Sequence, residues 1–230
     1  AIVGREDEAL EEVGGSAAAP PEHGEPARGA IRLVTVNVDG VGTYDRTPAA
    51  RMEEILTLVL AVTPGVILIQ EVVATMFAVL HKRLRDWKIH RRRGVTEDYF
   101  NVTAMSPALC AAAGRVSSYP SPCSRNGRHL LTTRPSGWSI INVHAESGGG
   151  RVERDYREKQ LQYMSRVHES EEGRVSVLAG DFNMRAGEEQ WLEREGWRDV
   201  WSVKDNQWTW QRGQYSGKCD RIFVHGDEVE

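Results

Sequence analysis

Val66-Ile67-Leu68-Ile69 is an unbroken apolar run, and no other segment limits the fold as much. A strand with one wet face alternates apolar and polar residues, whereas a strand covered on both faces reads as continuous Val, Ile and Leu. Helical patterns stand on either side of the run. Thr47-Pro48 offers an N-cap and a first-turn proline, and Met52, Ile55, Leu56, Val59 and Leu60 give the helix that follows one apolar face. Pro64-Gly65 ends that helix just before the run, and Val73, Phe77, Leu80 and Leu84 mark a second helix after it.

Further strand patterns cover Ile31 to Val38, Trp87 to Arg92, Tyr99 to Met105, His129 to Thr133, Trp138 to Val143, Val175 to Ala179 and Asp220 to Val224. A third helix is expected from about Arg151 to His168, with Leu161, Met164 and Val167 facing inward. Strands outnumber helices and the two are interspersed, which predicts an α/β fold of two packed mixed β-sheets flanked by helices. Residues 1–29 are rich in Ala, Gly, Pro and Glu without apolar periodicity and are expected to be a disordered tail or linker. Residues 30–230 are expected to form one domain. The chain starts at Ala1 and stops soon after an apolar strand, so it reads as a piece of a longer protein.

Cys110, Cys123 and Cys219 are an odd number without metal-ligand spacing, which argues against a disulfide framework or structural zinc and for a reducing, intracellular setting. No apolar run approaches the ~18 residues of a membrane span, and no signal-peptide order opens the chain, so no membrane partner is expected. The net charge of -4 declares no general affinity for nucleic acid. Lys82, Arg83, Arg85, Lys88 and Arg91-Arg92-Arg93 form a local basic stretch that reads either as a phosphate track or as a solvated helix face and edge strand.

Polar residues that carry chemistry cluster where strands end: Asn37-Val38-Asp39, Gln70-Glu71, His144 to Ser147, and Gly180-Asp181-Phe182-Asn183. Each has an ordinary explanation taken singly. Asp39-Gly40 makes a turn, Glu71 complements a helix N-terminus, His144 is a half-buried histidine, and Gly-Asp-x-Asn is turn chemistry. Together they place carboxylates, amides and an imidazole at the mouths of neighbouring strands, a hydrolase-like set. The carboxylates of Asp39 and Glu71 suit Mg²⁺, with Mn²⁺ as the alternative.

These motifs resemble the endonuclease/exonuclease/phosphatase superfamily, whose marks occur in order as Thr35-Val36-Asn37-Val38-Asp39-Gly40, Leu68-Ile69-Gln70-Glu71-Val72, His144 and Gly180-Asp181-Phe182-Asn183. Asp98-Tyr99-Phe100, His144-x-Glu146-Ser147, Asn183-Met184-Arg185, Asp199-Val200-Trp201, Thr209-Trp210 and Asp220-Arg221-Ile222-Phe223 are similar to the branch that acts on tyrosyl-DNA adducts. The resemblance implies a four-layered, deoxyribonuclease-I-like α/β sandwich and Mg²⁺-dependent hydrolysis of 5′-phosphotyrosyl bonds between topoisomerase remnants and DNA ends, in double-strand break repair. It implies Asp181, Asn183, His144 and Asn37 as catalytic residues, Asp39 and Glu71 as metal ligands, and Asp220 in a supporting role. Tyr99, Ser147, Arg185 and Trp210 would meet the DNA, best as a single-stranded or frayed 5′ end. A monomer in the nucleus, or also in the cytoplasm, is implied as well.

The sequence departs from that pattern at Val36, at the glycine run Gly148-Gly149-Gly150 where the family has an arginine, and at Cys219 where it has a phenylalanine. The family's Ser-Asp-His strand is expected beyond Glu230. Two other readings stay open: a general Mg²⁺-dependent nuclease or phosphoesterase of the same superfamily, and a noncatalytic DNA-end or protein-binding domain.

Overall fold

The structure, a computed structural model, describes residues 30–42, 44–91, 98–110, 113–125, 127–135, 137–169, 175–200, 209–212 and 215–226. The expected tail, residues 1–29, lies outside the described residues. One sheet has the order β1 (Leu33–Asn37), β2 (Val66–Val72), β4 (Phe100–Met105) and β3 (Lys88–His90). The other has the order β5 (Ala113–Pro120), β6 (His129–Pro135), β7 (Trp138–His144), β8 (Val175–Asp181), β12 (Asp220–His225) and β9 (Arg198–Asp199). A separate hairpin pairs β10 (Trp210–Arg212) with β11 (Tyr215–Gly217).

Two parallel pairs set the position of everything functional. β1 and β2 run parallel with Asn37 opposite Gln70, and β7 and β8 run parallel with His144 opposite Asp181. Parallel neighbours need a crossover, and α1 (Pro48–Ala61) and α4 (Arg151–Glu169) lie in the two connections. Crossovers of this kind bring the C-terminal ends of both strands to the same rim, where ligands of open α/β sheets bind. α1 begins as its sequence predicts, with the Thr47 side chain accepting from Ala50 N and Pro48 in the first turn.

Three apolar layers separate four structural ones. Met52 and Leu56 of α1 and Met76 and Leu80 of α2 (Ala74–Arg83) pack on Ile67, Ile69, Val102 and Ala104. Between the sheets, Val66, Leu68 and Met105 meet Ile140, Val177, Ala179 and Val224. Beneath the second sheet, Leu161, Met164 and Val167 of α4 pack on Ile141, Val143, Leu178 and Phe223, with Leu192 of α5 (Gln190–Arg194). β2 therefore sends Ile67 and Ile69 to the helices and Val66 and Leu68 to the facing sheet, which is why its run has no polar break. Each such side chain contributes about 1.5–3 kcal/mol by burial. The α/β sandwich of two mixed sheets between helices is the fold that the sequence predicts.

The sheets are also joined by amides. Gln70 Nε2 donates to Thr35 Oγ1 (3.2 Å) and to Asn142 Oδ1 (2.8 Å), and Asn142 Nδ2 donates to Val102 O (2.9 Å) and Thr103 Oγ1 (3.3 Å). A buried polar contact accepts one register where apolar packing tolerates several.

Some elements differ from expectation. β1 begins at Leu33 and β3 stops at His90. β5, β9, α5, the β10–β11 hairpin and the short α3 (Pro107–Cys110) escape a periodicity reading. They are short, or, like β5 with Arg115, Ser117 and Ser118, lie at a sheet edge where one neighbour suffices and polar residues are tolerated. Among the described residues no helix is long and apolar enough to cross a membrane.

Candidate active site

Asn37 Nδ2 donates to Glu71 Oε1 at 3.0 Å and to Asp181 Oδ2 at 2.9 Å, so one amide joins carboxylates from the two sheets. His144 Nε2 lies 3.4 Å from the same Glu71 oxygen and 3.8 Å from the same Asp181 oxygen. Ligand atoms of Glu71, His144 and Asp181 all fall within 4.8 Å of one another. Two anions at this distance repel unless a cation or hydrogen-bond donors lie between them.

The backbone that aims these groups is unusual. Asp39, Glu71 and Asn183 have φ of 43°, 60° and 49°, a left-handed conformation that non-glycine residues seldom hold. Two of them share a cause. Asn37 Oδ1 accepts from Asp39 N at 2.8 Å, and Asp181 Oδ1 accepts from Asn183 N at 2.8 Å. Each Asn or Asp thus closes an Asx turn on the residue two positions later. Glu71 sits within the irregularity of the β2–β4 register between Ile69 and Val72, a break that re-aims side chains.

Glycines allow the close approaches. A Cβ on Gly40 would lie 2.1 Å from Glu71 O, and one on Gly180, whose φ is 149°, would lie 2.0 Å from Val143 O. The glycine of Gly-Asp-x-Asn is therefore demanded by the contact of β7 with β8, and the Asp and Asn carry the chemistry.

The site opens into a cleft of about 880 Å³. Asn37, Asp39, Val41, Gly42, Tyr44 and Glu71, at or after strands of the first sheet, and Ser147, Gly148, Asp181, Asn183, Arg185, Thr209, Cys219 and Asp220, from the second half of the chain, line it. A profile of the Endonuclease/Exonuclease/phosphatase family matches residues 34–230.

The chain belongs to the endonuclease/exonuclease/phosphatase family. Human tyrosyl-DNA phosphodiesterase 2 is 27% identical to it over 220 residues, which are 86% of this chain and 58% of the human protein. The chain thus spans little more than half the length of that relative. Among solved structures, TDP2 from C. elegans is 24% identical with a TM-score of 0.71, over 86% of this chain and 65% of that one. D. rerio TDP2 complexed with single strand DNA product is 24% identical with a TM-score of 0.69, over 86% of this chain and 84% of that one. These likenesses confirm the fold. Of the motif residues read from sequence, Asn37, Asp39, Glu71, Asp181 and Asn183 line the cleft, and His144 lies buried behind it against Glu71 and Asp181.

Asp39 is held apart from the Glu71, His144 and Asp181 cluster. Its carboxylate accepts the Tyr44 hydroxyl and its backbone carbonyl accepts from Arg51 Nη2 at 2.8 Å. The Tyr99 ring stands 5.9 Å from that of His144. Ser147 and Arg185 line the cleft, and Arg185 is exposed. Trp210 begins β10, but its side chain lies outside the described residues. Asp220 faces Asp181 across the β8–β12 register. Of the basic stretch, Lys82, Arg83, Arg85, Lys88 and Arg91 do not line the cleft; Arg83 pairs with Glu53, and Arg91 stacks on Phe77 and Phe100 at 4.7 and 5.0 Å. Arg92 and Arg93 lie outside the described residues.

Arg128, Arg157, Gln160 and Glu188 were not legible as site residues. Buried Arg128 donates to Ala145 O and reaches Tyr99 Oη and Ser147 Oγ, both at 3.4 Å. Arg157 of α4 binds Glu188 and the carbonyls of Glu146 and Gly148, and Gln160, three residues on and on the same helix face, accepts from Glu146 N at 2.9 Å. No motif marks a lone arginine on a helix; only the tertiary contact does.

Electrostatics follow from this packing. Burial pushes the Glu71 carboxyl up, but hydrogen bonds from His144 and Asn37 and the charges of His144 and Arg128 together hold it below its ordinary value. Burial first, and the Asp181 charge second, push Asp220 up to about 7. Burial likewise raises the Cys219 thiol to about 11, which makes it an inert wall residue. Glu71 fits a hard divalent cation, because a carboxylate oxygen is the donor such an ion takes and a second carboxylate, Asp181, lies within 4.8 Å with His144 beside it.

Proposed function

We propose that this chain is a Mg²⁺-dependent phosphodiesterase that hydrolyses the 5′-phosphotyrosyl bond between a protein remnant and a DNA end, leaving a 5′-phosphate. The observation that carries the reading is the meeting of Glu71, His144 and Asp181 about the Asn37 amide in one cleft. Repair of broken DNA ends in the nucleus is the setting that this reaction suits.

Glu71, with Asp39 through water, would hold the cation, and Asn37 fixes the Glu71 carboxylate in place. Bound there, Mg²⁺ supplies Lewis-acid stabilisation of negative charge on a phosphoryl oxygen. Asp181 takes the proton of the attacking water, and Asn183 positions that water. Asp181 is suited to this because Asn37 and the Asn183 amide fix both its oxygens. His144 donates to a phosphoryl oxygen, a preorganised donor of the kind worth about 3 kcal/mol of barrier, and Asn37, both of whose amide hydrogens meet carboxylates, would turn one of them to the phosphoryl group. A phenol has a pKa of about 10, so tyrosinate leaves with little acid assistance. Tyr99, Ser147, Arg185 and Trp210 would hold the DNA end, and Arg128 ties Tyr99 to Ser147. A cleft suits an extended or frayed strand better than a paired one.

A second reading, a phosphoesterase of the same family with another substrate, is favoured by Cys219 in the cleft wall, where the tyrosyl-DNA branch has a phenylalanine. The experiment is release of tyrosine from a 5′-tyrosyl single-stranded oligonucleotide in Mg²⁺, beside an abasic duplex and an inositol phosphate. Turnover of the first, lost in Asp181→Asn, supports the proposal. A native chain that cleaves either of the other two and spares the tyrosyl end sinks it.

A further inference from the structure

We propose that Tyr44 is a stacking platform for a flat aromatic ring of the substrate, at the mouth of the cleft beside Asp39. The inference deepens the phosphodiesterase reading and rests on it for the substrate class. Tyr44 is 55% exposed, and beside it Val41 is 52% exposed. An exposed tyrosine ordinarily turns freely; this one is fixed on three sides.

Its hydroxyl donates to Asp39 Oδ2. The Arg51 guanidinium carbon lies 4.0 Å from the ring centroid, and Arg51 also donates to Asp39 O at 2.8 Å. The third constraint is an absence of side chain. A Cβ on Gly42 would lie 2.5 Å from Tyr44 Cε2 and 2.5 Å from Asp39 Oδ2. Ring, guanidinium and loop therefore form one unit that a larger residue at position 42 would break.

Fixing a tyrosine and an arginine at the surface costs side-chain entropy and covers little apolar area, so the fold gains little from it. A ligand gains more, because a ring already in place takes a stacked partner without further ordering. One face lies against Arg51, which leaves the other face for a planar group. The ring lines the cleft together with Asp39, Glu71 and Asn37. A flat ring near the reacting phosphate comes from two sources, the first base of the DNA end or the phenol of the adduct. Tyr99 lies against His144, so Tyr44 is a separate contact and sets preference for what enters from the Asp39 side.

Binding titrations of the whole chain without divalent cation test this, using single-stranded octanucleotides labelled at the 3′ end. One carries a 5′-phosphate on an intact first nucleotide, one has an abasic first nucleotide, and one has the abasic nucleotide plus a 5′-tyrosyl group. Tyr44→Leu is expected to weaken about tenfold the probe that supplies the stacked ring, the order of one stacking contact, and to leave the ringless probe within twofold. The responding probe tells base from phenol. Tyr44→Phe keeps the ring, loses only the hydrogen bond to Asp39, and recovers most of the loss.

Equal losses on all three probes, equal losses for the Leu and Phe variants, or native affinity in Tyr44→Leu overturn the platform. So does a native chain that binds none of the probes. Because the readout is binding, a chain that binds with the expected pattern but never releases tyrosine in Mg²⁺ sinks the proposed reaction and leaves the platform intact.

Discussion

Arg157 grips Glu188 with two nitrogens, Nε to Oε2 at 2.7 Å and Nη2 to Oε1 at 2.8 Å, and the two side chains are 1% and 2% exposed. The remaining nitrogen donates to Glu146 O at 3.1 Å and Gly148 O at 2.7 Å. One helix residue thus fixes the loop after β7, which carries Ser147, and the loop after β8, which carries Asn183 and Arg185. Glu188→Leu strands a buried cation and is expected to lower unfolding free energy by about 3–5 kcal/mol. Adding Arg157→Met should restore most of that stability, since apolar replacement of a buried pair is often neutral. Urea denaturation checks both, and the double variant should still show a raised KM, because packing without directional bonds does not hold the loops. A native KM in the double variant would make the pair purely a matter of stability.

Gly180→Ala and Gly187→Ala should differ sharply, though both glycines have positive φ, 149° and 86°. At Gly180 the added Cβ meets Val143 O at 2.0 Å, while at Gly187 nothing lies within 4 Å. The second variant is expected to lose about 1 kcal/mol from backbone strain alone. The first must also part β7 from β8 and should lose several-fold more, with activity falling through displaced His144 and Asp181. Thermal melts compare them, and similar losses would contradict the strand contact.

Asp220 makes stability depend on pH in a direction opposite to that of a paired carboxylate. Its native pKa, about 7, lies above its ordinary value of 3.8. Between these values the unfolded chain releases a proton that the native chain keeps, so stability falls as pH rises from about 4 to about 7. Asp220→Asn lacks that fall. Its stability relative to the native chain should rise across this window and level off above it, read from denaturation in the absence of divalent cation. A pH-independent difference would show that the carboxyl is not raised.

Glu71→Gln keeps the shape of the side chain and removes a charge from the group that could hold a cation. With the native chain, chelation should abolish turnover and Mg²⁺ restore it; with the variant, restoration should require far more Mg²⁺. Turnover that survives chelation in the native chain would exclude a metal-assisted reaction.

Asn37→Ala removes the amide shared by Glu71 Oε1 and Asp181 Oδ2. The Glu71 pKa, held down in part by this bond, should move up, visible in a carbon-detected NMR titration of the carboxyl. Turnover should fall by about 10²–10³, as for loss of one preorganised donor. An unmoved Glu71 titration would mean that His144 and Arg128 suffice without it.

The layers and the rim were legible in local sequence patterns. Val66 to Ile69 has no polar break because β2 is covered by helices on one side and a sheet on the other, a requirement local enough to be read from consecutive residues. Gln70-Glu71, His144 and Asp181 could be placed at strand ends for the same reason, since a strand's exit follows from where its apolar pattern stops. Tertiary structure alone decided what those residues do to one another. Asn37 meets Asp181 across 144 positions, Arg157 meets Glu188 across 31, and Asp220 is raised because folding buries it and sets it against Asp181. No periodicity encodes such meetings. They depend on which strands become neighbours, and that choice is made by the packing of the whole chain, so the inventory was legible in one dimension and the electrostatics only in three.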